Sequence, residues 1–249
     1  MTNQWSLVNR LPPLDDHEVH LWQVDLAGTA AQANRCFSLL TASEQAEANR
    51  RIIGQVRDHF TVGRACVRVL IGNALGMDPR EVTLAKGVHG KPEILAIEGG
   101  ALSFNLAHSK NTLLIAIRRQ GAIGVDVEYF DRATDIMEVA QANFTESESE
   151  ILAAADPETR LRTFYRYWTR KEAIGKADGR GLLLPLASFD VSFEPINSRP
   201  VSVSESPSGE DKRYFVSDLD LGDGAAGALA LESYEAPVRS LIFPLQSSW

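Results

Sequence analysis

The chain repeats one helix-start signal at a fixed distance, and this repeat limits the folds open to it. Residues Thr41-Ala42-Ser43-Glu44 have the Ser/Thr-x-x-Glu form of a capping box, and Thr145-Glu146-Ser147-Glu148 repeats that form 104 residues later. The same offset superposes Phe60 on Phe164. We infer two similar halves that arose by duplication. Chance similarity between two amphipathic helices would give the same pattern.

The order of elements predicts an α+β fold. The strand-like segments His20 to Asp25 and Gly124 to Tyr129 superpose under the offset, and each precedes two helical stretches. Further strands are expected at Ala101 to Leu106 and Leu113 to Ile117. Strands and helices without regular alternation favour antiparallel sheets covered by helices. We place the halves at residues 1–120 and 121–249, with the active site between them.

Composition excludes several classes of protein. The chain has 249 residues, of which 44% are hydrophobic, and a formal net charge of -8. An acidic surface repels nucleic acids and anionic membranes. Short apolar runs and a polar start, Met1 to Gln4, predict a cytoplasmic protein. The two cysteines, Cys36 and Cys66, lie beside apolar residues and are expected to be buried thiols rather than redox groups.

One basic segment stands out against this acidic background. Residues 160–180 carry seven basic side chains, including Arg166 and Arg170, against two acidic ones. A solvated helix face would have this composition, and so would a site for an acidic ligand or partner.

An alternating segment carries two carboxylates. From Ile123 to Glu128 apolar residues alternate with others, so on a strand Asp126 and Glu128 share one face. Adjacent carboxylates repel each other unless a cation joins them, and hard oxygen ligands suit Mg²⁺. A magnesium site is therefore one interpretation. Exposed acids on a half-buried strand are the other.

A later helix carries an acid and a base at helical spacing. Trp168, Glu172 and Lys176 lie four residues apart, so they share one face of a helix that ends in a glycine-rich loop. The arrangement could present Glu172 and Lys176 to a phosphate ester. A solvated Glu-Lys pair is the alternative.

Two loop-forming segments offer further polar groups. His108 and Ser109 close the strand that begins near Phe104, and a histidine there can donate to an anion or bond to the backbone. The segment Gly87 to Pro92 combines Lys91 with glycines that permit a turn.

Taken together and in order, these segments resemble the signature of the Sfp-like (Sfp, Gsp and HetI type) 4'-phosphopantetheinyl transferases. The matching motifs are Gly90-Lys91-Pro92, Phe104-Asn105-x-x-His108-Ser109, Gly124-Val125-Asp126-Val127-Glu128 and Trp168-x-x-Lys171-Glu172-x-x-x-Lys176, followed by Gly179-x-Gly181-Leu182. The similarity covers roughly Thr41 to Phe193. The last two motifs are the specific ones, because they fix identity and spacing at many positions.

The resemblance implies roles for individual residues. It implies Mg²⁺ as the metal and coenzyme A as the co-substrate. The implied magnesium ligands are Asp126, Glu128 and Glu172, and the implied catalytic residues are Glu172 and Lys176. The implied coenzyme A contacts are Lys91, Pro92, His108, Ser109, Lys171 and Lys176, with an arginine that could be Arg57 or Arg64. Arg166 and Arg170 are the expected contacts with the carrier. A capping role explains Glu148 without catalysis.

The resemblance also implies the reaction. The 4'-phosphopantetheine group of coenzyme A would pass to a serine of an apo acyl, peptidyl or aryl carrier protein, releasing 3',5'-ADP. Ala107 replaces a serine that family members often carry, which would remove one phosphate contact. A metal-dependent nucleotide phosphodiesterase and a non-catalytic module that binds coenzyme A or a carrier are the rival functions. The internal repeat favours a monomer.

Under the 104-residue offset, Asp126, Glu128 and Glu172 correspond to Trp22, Val24 and Arg68. The first half therefore has no copy of the acidic trio. We expect one active site per chain, with metal ligands from the second half and nucleotide contacts from the first.

Overall fold

The computed structural model describes residues 4–86, 92–94, 102–194, 198–204 and 211–245. The helices are α1 (Ala30–Phe37), α2 (Ala42–Asn49), α3 (Gly54–Leu75), α4 (Ile136–Asn143), α5 (Glu146–Ala154) and α6 (Pro157–Asp178). The strands are β1 (Ser6–Leu7), β2 (Val19–Asp25), β3 (Leu84–Lys86), β4 (Pro92–Ile94), β5 (Ser103–Ser109), β6 (Thr112–Arg118), β7 (Ile123–Tyr129), β8 (Arg199–Val203), β9 (Lys212–Leu219), β10 (Ala225–Glu232) and β11 (Val238–Ile242). The α+β class is as predicted.

Both predicted capping boxes start helices. Thr41 Oγ1 accepts from the Glu44 amide at 3.3 Å, and the Glu44 carboxylate accepts from the Thr41 amide at 2.9 Å. The corresponding distances between Thr145 and Glu148 are 3.2 and 2.8 Å. Each box satisfies two backbone donors that a helix start leaves free, so α2 and α5 begin where the sequence predicts.

The two main sheets share a core pairing order. The first has the order β1-β11-β2-β6-β5 and the second β7-β10-β9-β8. In the first sheet, β2 precedes the helices and pairs antiparallel with β6, the last strand of the hairpin that follows them. In the second sheet, β7 pairs antiparallel with β10 in the same way. The prediction of antiparallel sheets holds for the second sheet, whereas the first is mixed, because β11 pairs in parallel with both β1 and β2.

Strand β11 lies after the proposed boundary between residues 120 and 121 but pairs with a strand of the first half. Val238 lies opposite Val19 and Ile242 opposite Gln23, so the chain returns to the first sheet after completing the second. Leu241 and Phe243 belong to the apolar core of the first sheet. Residues 121–249 therefore do not form a separate unit at their C-terminal side.

Three apolar cores hold the layers together. One lies between the first sheet and helices α1 and α3, and another between the second sheet and helices α4 to α6. The third lies between the two sheets and includes Val19 and Leu21 of β2, with Val125 and Val127 of β7. The amide of Val125 also donates to Asn105 Oδ1 of β5 at 2.9 Å. This third core fixes β7 against the first half.

Cys36 and Cys66 are both buried free thiols, as the sequence predicts. Burial raises the pKa of the Cys36 thiol to about 11. The serine-rich stretch from Ser202 to Gly209 is typical of a loop, but Ser202 lies in β8, and residues 205–210 lie outside the described residues. In the parts of the chain that the structure describes, no helix is long and apolar enough to cross a membrane.

Candidate active site

Strand β7 carries the candidate ligands into a narrow space under α6. A Cβ atom on Gly124 would overlap the carbonyl oxygen of Ala173 and lie 2.5 Å from the amide nitrogen of Ala177. Only a residue without a side chain permits so close an approach of strand and helix. Gly124 therefore sets the distance at which β7 and α6 present their polar groups to each other.

Asp126 faces this helix and is almost completely buried, with a relative exposure of 4%. Its Oδ1 accepts from the ammonium of Lys176 at 2.7 Å, and that ammonium also lies 3.3 Å from the Val125 carbonyl oxygen. The other carboxylate oxygen, Oδ2, is buried and has no hydrogen-bond partner among the described residues. Burial raises the pKa of Asp126, although the charge of Lys176 opposes that shift. Asp126 is therefore covered by α6 and is not an exposed acid on a half-buried strand.

Glu128 is held from the first half. Ser109 Oγ donates to Glu128 Oε2 at 3.0 Å and accepts from the Tyr129 amide at 3.2 Å. Burial raises the pKa of Glu128, and the nearby charge of Asp126 raises it further. The end of β5 thus touches the end of β7.

Glu172 on α6 completes the acidic trio. Burial raises its pKa, as do the charges of Asp126 and Glu128, while Lys176 lowers it. The charges of the other two carboxylates therefore act on Glu172. Among the described residues, however, no group of three or more His, Cys, Asp or Glu side chains is arranged to hold a metal ion.

A cavity of about 290 Å³ lies in the first half, next to the end of β5. Apolar side chains of α3, β5 and β6 form most of its wall, and His59, Arg64 and His108 provide its polar groups. The rings of His59 and His108 meet edge to face at 5.8 Å. Burial lowers the pKa of His108, and the neighbouring His59 lowers it further. Arg57, whose side chain is half exposed, is not part of the wall.

The cavity exists because α3 stands away from its sheet. Helix α6 packs closely on β7 and β10, whereas α3 makes close contacts with α1 and α2 and few with the strands. The residue that corresponds to Gly124 in the first half is His20, a buried side chain. Gly63 of the cavity wall corresponds to Tyr167, which is buried in the core of the second half. Neither His59 nor the cavity was predicted from the sequence. The available signal was Gly63, a glycine at the position that corresponds to Tyr167 under the 104-residue offset.

Two predicted contact residues are structural instead. The Lys171 side chain is fully buried, pairs with Glu148 at 2.9 Å and donates to the carbonyl oxygens of Leu186 and Phe189 at 2.7 Å each. Its ammonium has no access to coenzyme A, so that prediction is wrong.

Arg170 is also fully buried. Its guanidinium donates to both carboxylate oxygens of Asp218 at 2.7 Å and to two further carbonyl oxygens of the chain. It cannot serve as a surface contact for a carrier. Arg166 is partly exposed. Lys91 lies outside the described residues, and so does the side chain of Pro92.

The first half lacks the acids, as its sequence requires. Trp22 and Val24 are buried in the first core. Arg68 is 1% exposed and donates to Glu44 at 2.8 Å, so this cation neutralises the acid of the first capping box.

Comparison with known proteins identifies relatives of this chain. Residues 122–230 match the 4'-phosphopantetheinyl transferase superfamily. The chain is 35% identical over 220 residues to the 4'-phosphopantetheinyl transferase HetI of Nostoc sp., an alignment that covers 87% of this chain and 89% of the relative. It is 29% identical to the 4'-phosphopantetheinyl transferase Sfp of Bacillus subtilis over 71% of this chain and 77% of the relative. It is 38% identical to the 4'-phosphopantetheinyl transferase AcpT of Salmonella typhimurium over 45% of this chain and 56% of the relative. The chain therefore belongs to the 4'-phosphopantetheinyl transferase superfamily.

Proposed function

We propose that this enzyme transfers the 4'-phosphopantetheine group of coenzyme A to a serine of an apo carrier protein. The observation that carries the proposal is the coupled trio Asp126, Glu128 and Glu172 beside Lys176, where β7 meets α6. Relatives that share this segment are named as transferases, and none of those compared is named as a phosphodiesterase or a binding module.

The trio supplies the hard oxygen ligands that a divalent cation such as Mg²⁺ prefers. The unpartnered oxygen of Asp126 is a buried acceptor, which is costly to leave without a partner. Besides burial, the charge of Asp126 raises the pKa of Glu128, and the charges of Asp126 and Glu128 raise that of Glu172; a cation would relieve this repulsion. We propose Asp126, Glu128 and Glu172 as Mg²⁺ ligands. When bound, the ion would neutralise charge on the diphosphate of coenzyme A.

The residues of the chain supply the remaining chemistry. The serine hydroxyl of the carrier attacks the β-phosphorus, the bond from that phosphorus to the bridging oxygen breaks, and 3',5'-ADP leaves. Lys176, a quarter exposed, would donate to a phosphate oxygen. The proton of the serine passes to Glu172. Glu128 acting through water is the alternative acceptor.

The nucleotide end of coenzyme A is proposed to occupy the cavity of the first half. Its apolar wall suits a planar base, and Arg64 and His108 suit a phosphate. Lys91, Pro92, Ser109 and Arg57 are the other proposed contacts. Ala107 is 3% exposed and faces the core between the sheets, so a serine there would also have to satisfy a buried hydroxyl.

We also propose that the two halves are duplicated units with one active site between them. The shared pairing order of their sheets supports this inference. A chain that contains both halves needs no second copy to complete the site, so we expect a monomer. Coenzyme A and carrier proteins are cytoplasmic reactants, and we expect the enzyme there.

For the carrier, we retain Arg166 as the proposed contact. An acidic carrier would be attracted by a partly exposed arginine on an otherwise acidic protein, which acts mainly on the rate of encounter.

One experiment tests the reaction. An apo carrier is incubated with the enzyme, coenzyme A and Mg²⁺, and its intact mass is measured. The expected result is a mass increase by one phosphopantetheine group with release of 3',5'-ADP. Hydrolysis of coenzyme A without any change in the carrier would instead identify a phosphodiesterase, and no change in either would identify a binding module.

A further inference from the structure

The turn between β5 and β6 holds a lysine in an unfavourable backbone conformation. Ser109 and Thr112 pair across the hairpin, so Lys110 and Asn111 form a loop of two residues. Lys110 has φ 51°, and Ser233 is the only other described residue except glycine with a positive φ. Glycine, asparagine and aspartate are usual in such turns, because a side chain crowds the backbone there. The strain calls for a compensating interaction of this particular side chain.

That interaction reaches the other half of the molecule. The ammonium of Lys110 lies 5.0 Å from the centroid of the Tyr129 ring, and Tyr129 is the last residue of β7. The hydroxyl of Tyr129 lies 2.9 Å from Thr112 Oγ1, on the other side of the same turn. A lysine above a tyrosine ring is attracted by the ring quadrupole. The turn therefore grips the ring at two points.

The same turn also contacts residues of the candidate site. Ser109, next to Lys110, donates to Glu128 and accepts from the amide of Tyr129. The His108 ring is hydrogen-bonded to the backbone of Lys110. The same turn thus holds one group from the nucleotide cavity and one from the acidic trio.

We propose that Lys110 is a positioning residue that latches the first half onto the end of β7. This latch is defined by Lys110 and Tyr129, and it keeps Ser109 in place to orient Glu128. The inference rests on the proposed function for its effect on catalysis, but the latch itself is a contact that stability measurements detect.

A double-mutant cycle on unfolding tests the contact without reference to activity. The variants are Lys110→Met, which keeps the stem and the strained backbone but removes the charge, Tyr129→Leu, and the two combined. A cation-π contact at an exposed site corresponds to roughly a two- to fivefold change in the unfolding equilibrium. We expect Lys110→Met to destabilise the protein when Tyr129 is present and to have less effect in Tyr129→Leu. Additive effects would overturn the latch.

Kinetics then test its role in the site. In Lys110→Met the half-saturating concentration of Mg²⁺ should rise about two- to fivefold, whereas kcat at saturation should stay near the wild-type value. Lys110→Arg, which keeps the cation, should restore it. Lys212→Met is the matched control. Lys212 pairs with Glu232 at one end of β10, whereas Ala226, which lies opposite Glu128, is at the other end. Equal kinetics for wild type and Lys110→Met would refute the positioning role. A wild-type enzyme that transfers nothing would refute the proposed function instead and leave the stability cycle to judge the latch.

Discussion

The ammonium of Lys176 lies 2.7 Å from Oδ1 of Asp126, and the lysine is a quarter exposed while the aspartate is almost fully buried. One end of this ion pair is therefore open to solvent, and the other is fixed in the interior. This division supports the proposal that the two residues serve different partners, with the lysine open to a phosphate and the aspartate turned toward a metal ion.

Asp126→Asn should abolish transfer but not folding. The substitution keeps the shape of the side chain and removes the charge, so transfer should fall by at least about 100-fold, the usual scale for a lost electrostatic group. Transfer rates and melting temperatures are measured together. Asp223→Asn, at an exposed aspartate, is the control that should change neither. Near-normal turnover of Asp126→Asn in saturating Mg²⁺ would contradict the metal site.

The stability of the protein without metal should depend on the acidic trio in a defined direction. The pKa of each trio carboxyl is raised on folding, so the folded state binds more protons than the unfolded state above the ordinary carboxyl pKa. The trio's contribution to the free energy of unfolding must then fall as pH rises through the raised values. Glu172→Gln should show a smaller loss of melting temperature between pH 5 and pH 8 than wild type. Identical pH profiles would disprove this coupling.

Coenzyme A should stabilise the protein more in Mg²⁺ than in EDTA, because a ligand that binds only the folded state raises the melting temperature more when it binds more tightly. Thermal unfolding with each ligand alone and with both provides the comparison. Equal stabilisation in EDTA would mean that the metal does not contribute to binding of the diphosphate.

Gly124→Ala should damage both stability and catalysis. The new methyl group would collide with backbone atoms of Ala173 and Ala177, which cannot rotate away. Overpacking of this kind costs about 1–3 kcal/mol or more. Gly54→Ala, where nothing lies within 4 Å, should be neutral or slightly stabilising. Chemical denaturation of both variants gives the difference, and a Gly124→Ala protein as stable as Gly54→Ala would refute the close packing.

Arg166→Glu should raise the KM for the carrier at low salt and leave that for coenzyme A nearly unchanged. Added salt should have the same selective effect, because charges separated by more than the Debye length of about 8 Å are largely screened at physiological ionic strength. Arg80→Glu, an equal charge change on an exposed residue of the first half, is the control. If both variants behave alike, the segment from Tyr129 to Phe144 becomes the better candidate for docking.

Patterns local in sequence predicted much of the fold. The capping boxes at Thr41 and Thr145 and the alternation before Glu128 depend on neighbours within a few residues, and the elements formed where they indicated. The parallel pairing of β11 could not be predicted in this way. It joins Val238 to Val19, and no short-range pattern encodes contacts across such a separation.

Burial explains the errors at the site. Arg170 and Lys171 were read as surface cations because charged residues are seldom fully buried. Both are neutralised inside the protein by acids distant in sequence, Asp218 and Glu148. Motif spacing singles out Asp126 and Lys176, which lie 2.7 Å apart in the structure, but it gives no sign that α6 covers the aspartate, since that depends on the approach of β7 at Gly124.

The return of β11 to the first sheet has a consequence for synthesis on the ribosome. Strands β1 and β2 are not neighbours, and β11 fills the place between them. The first sheet therefore cannot be completed until residues 238–242 have left the exit tunnel, long after β2 itself has emerged. Until then β2 has a free edge that invites pairing with other chains. A premature stop before Val238 would leave that edge open permanently, so we expect such truncated products to aggregate even though every residue of the acidic trio is present.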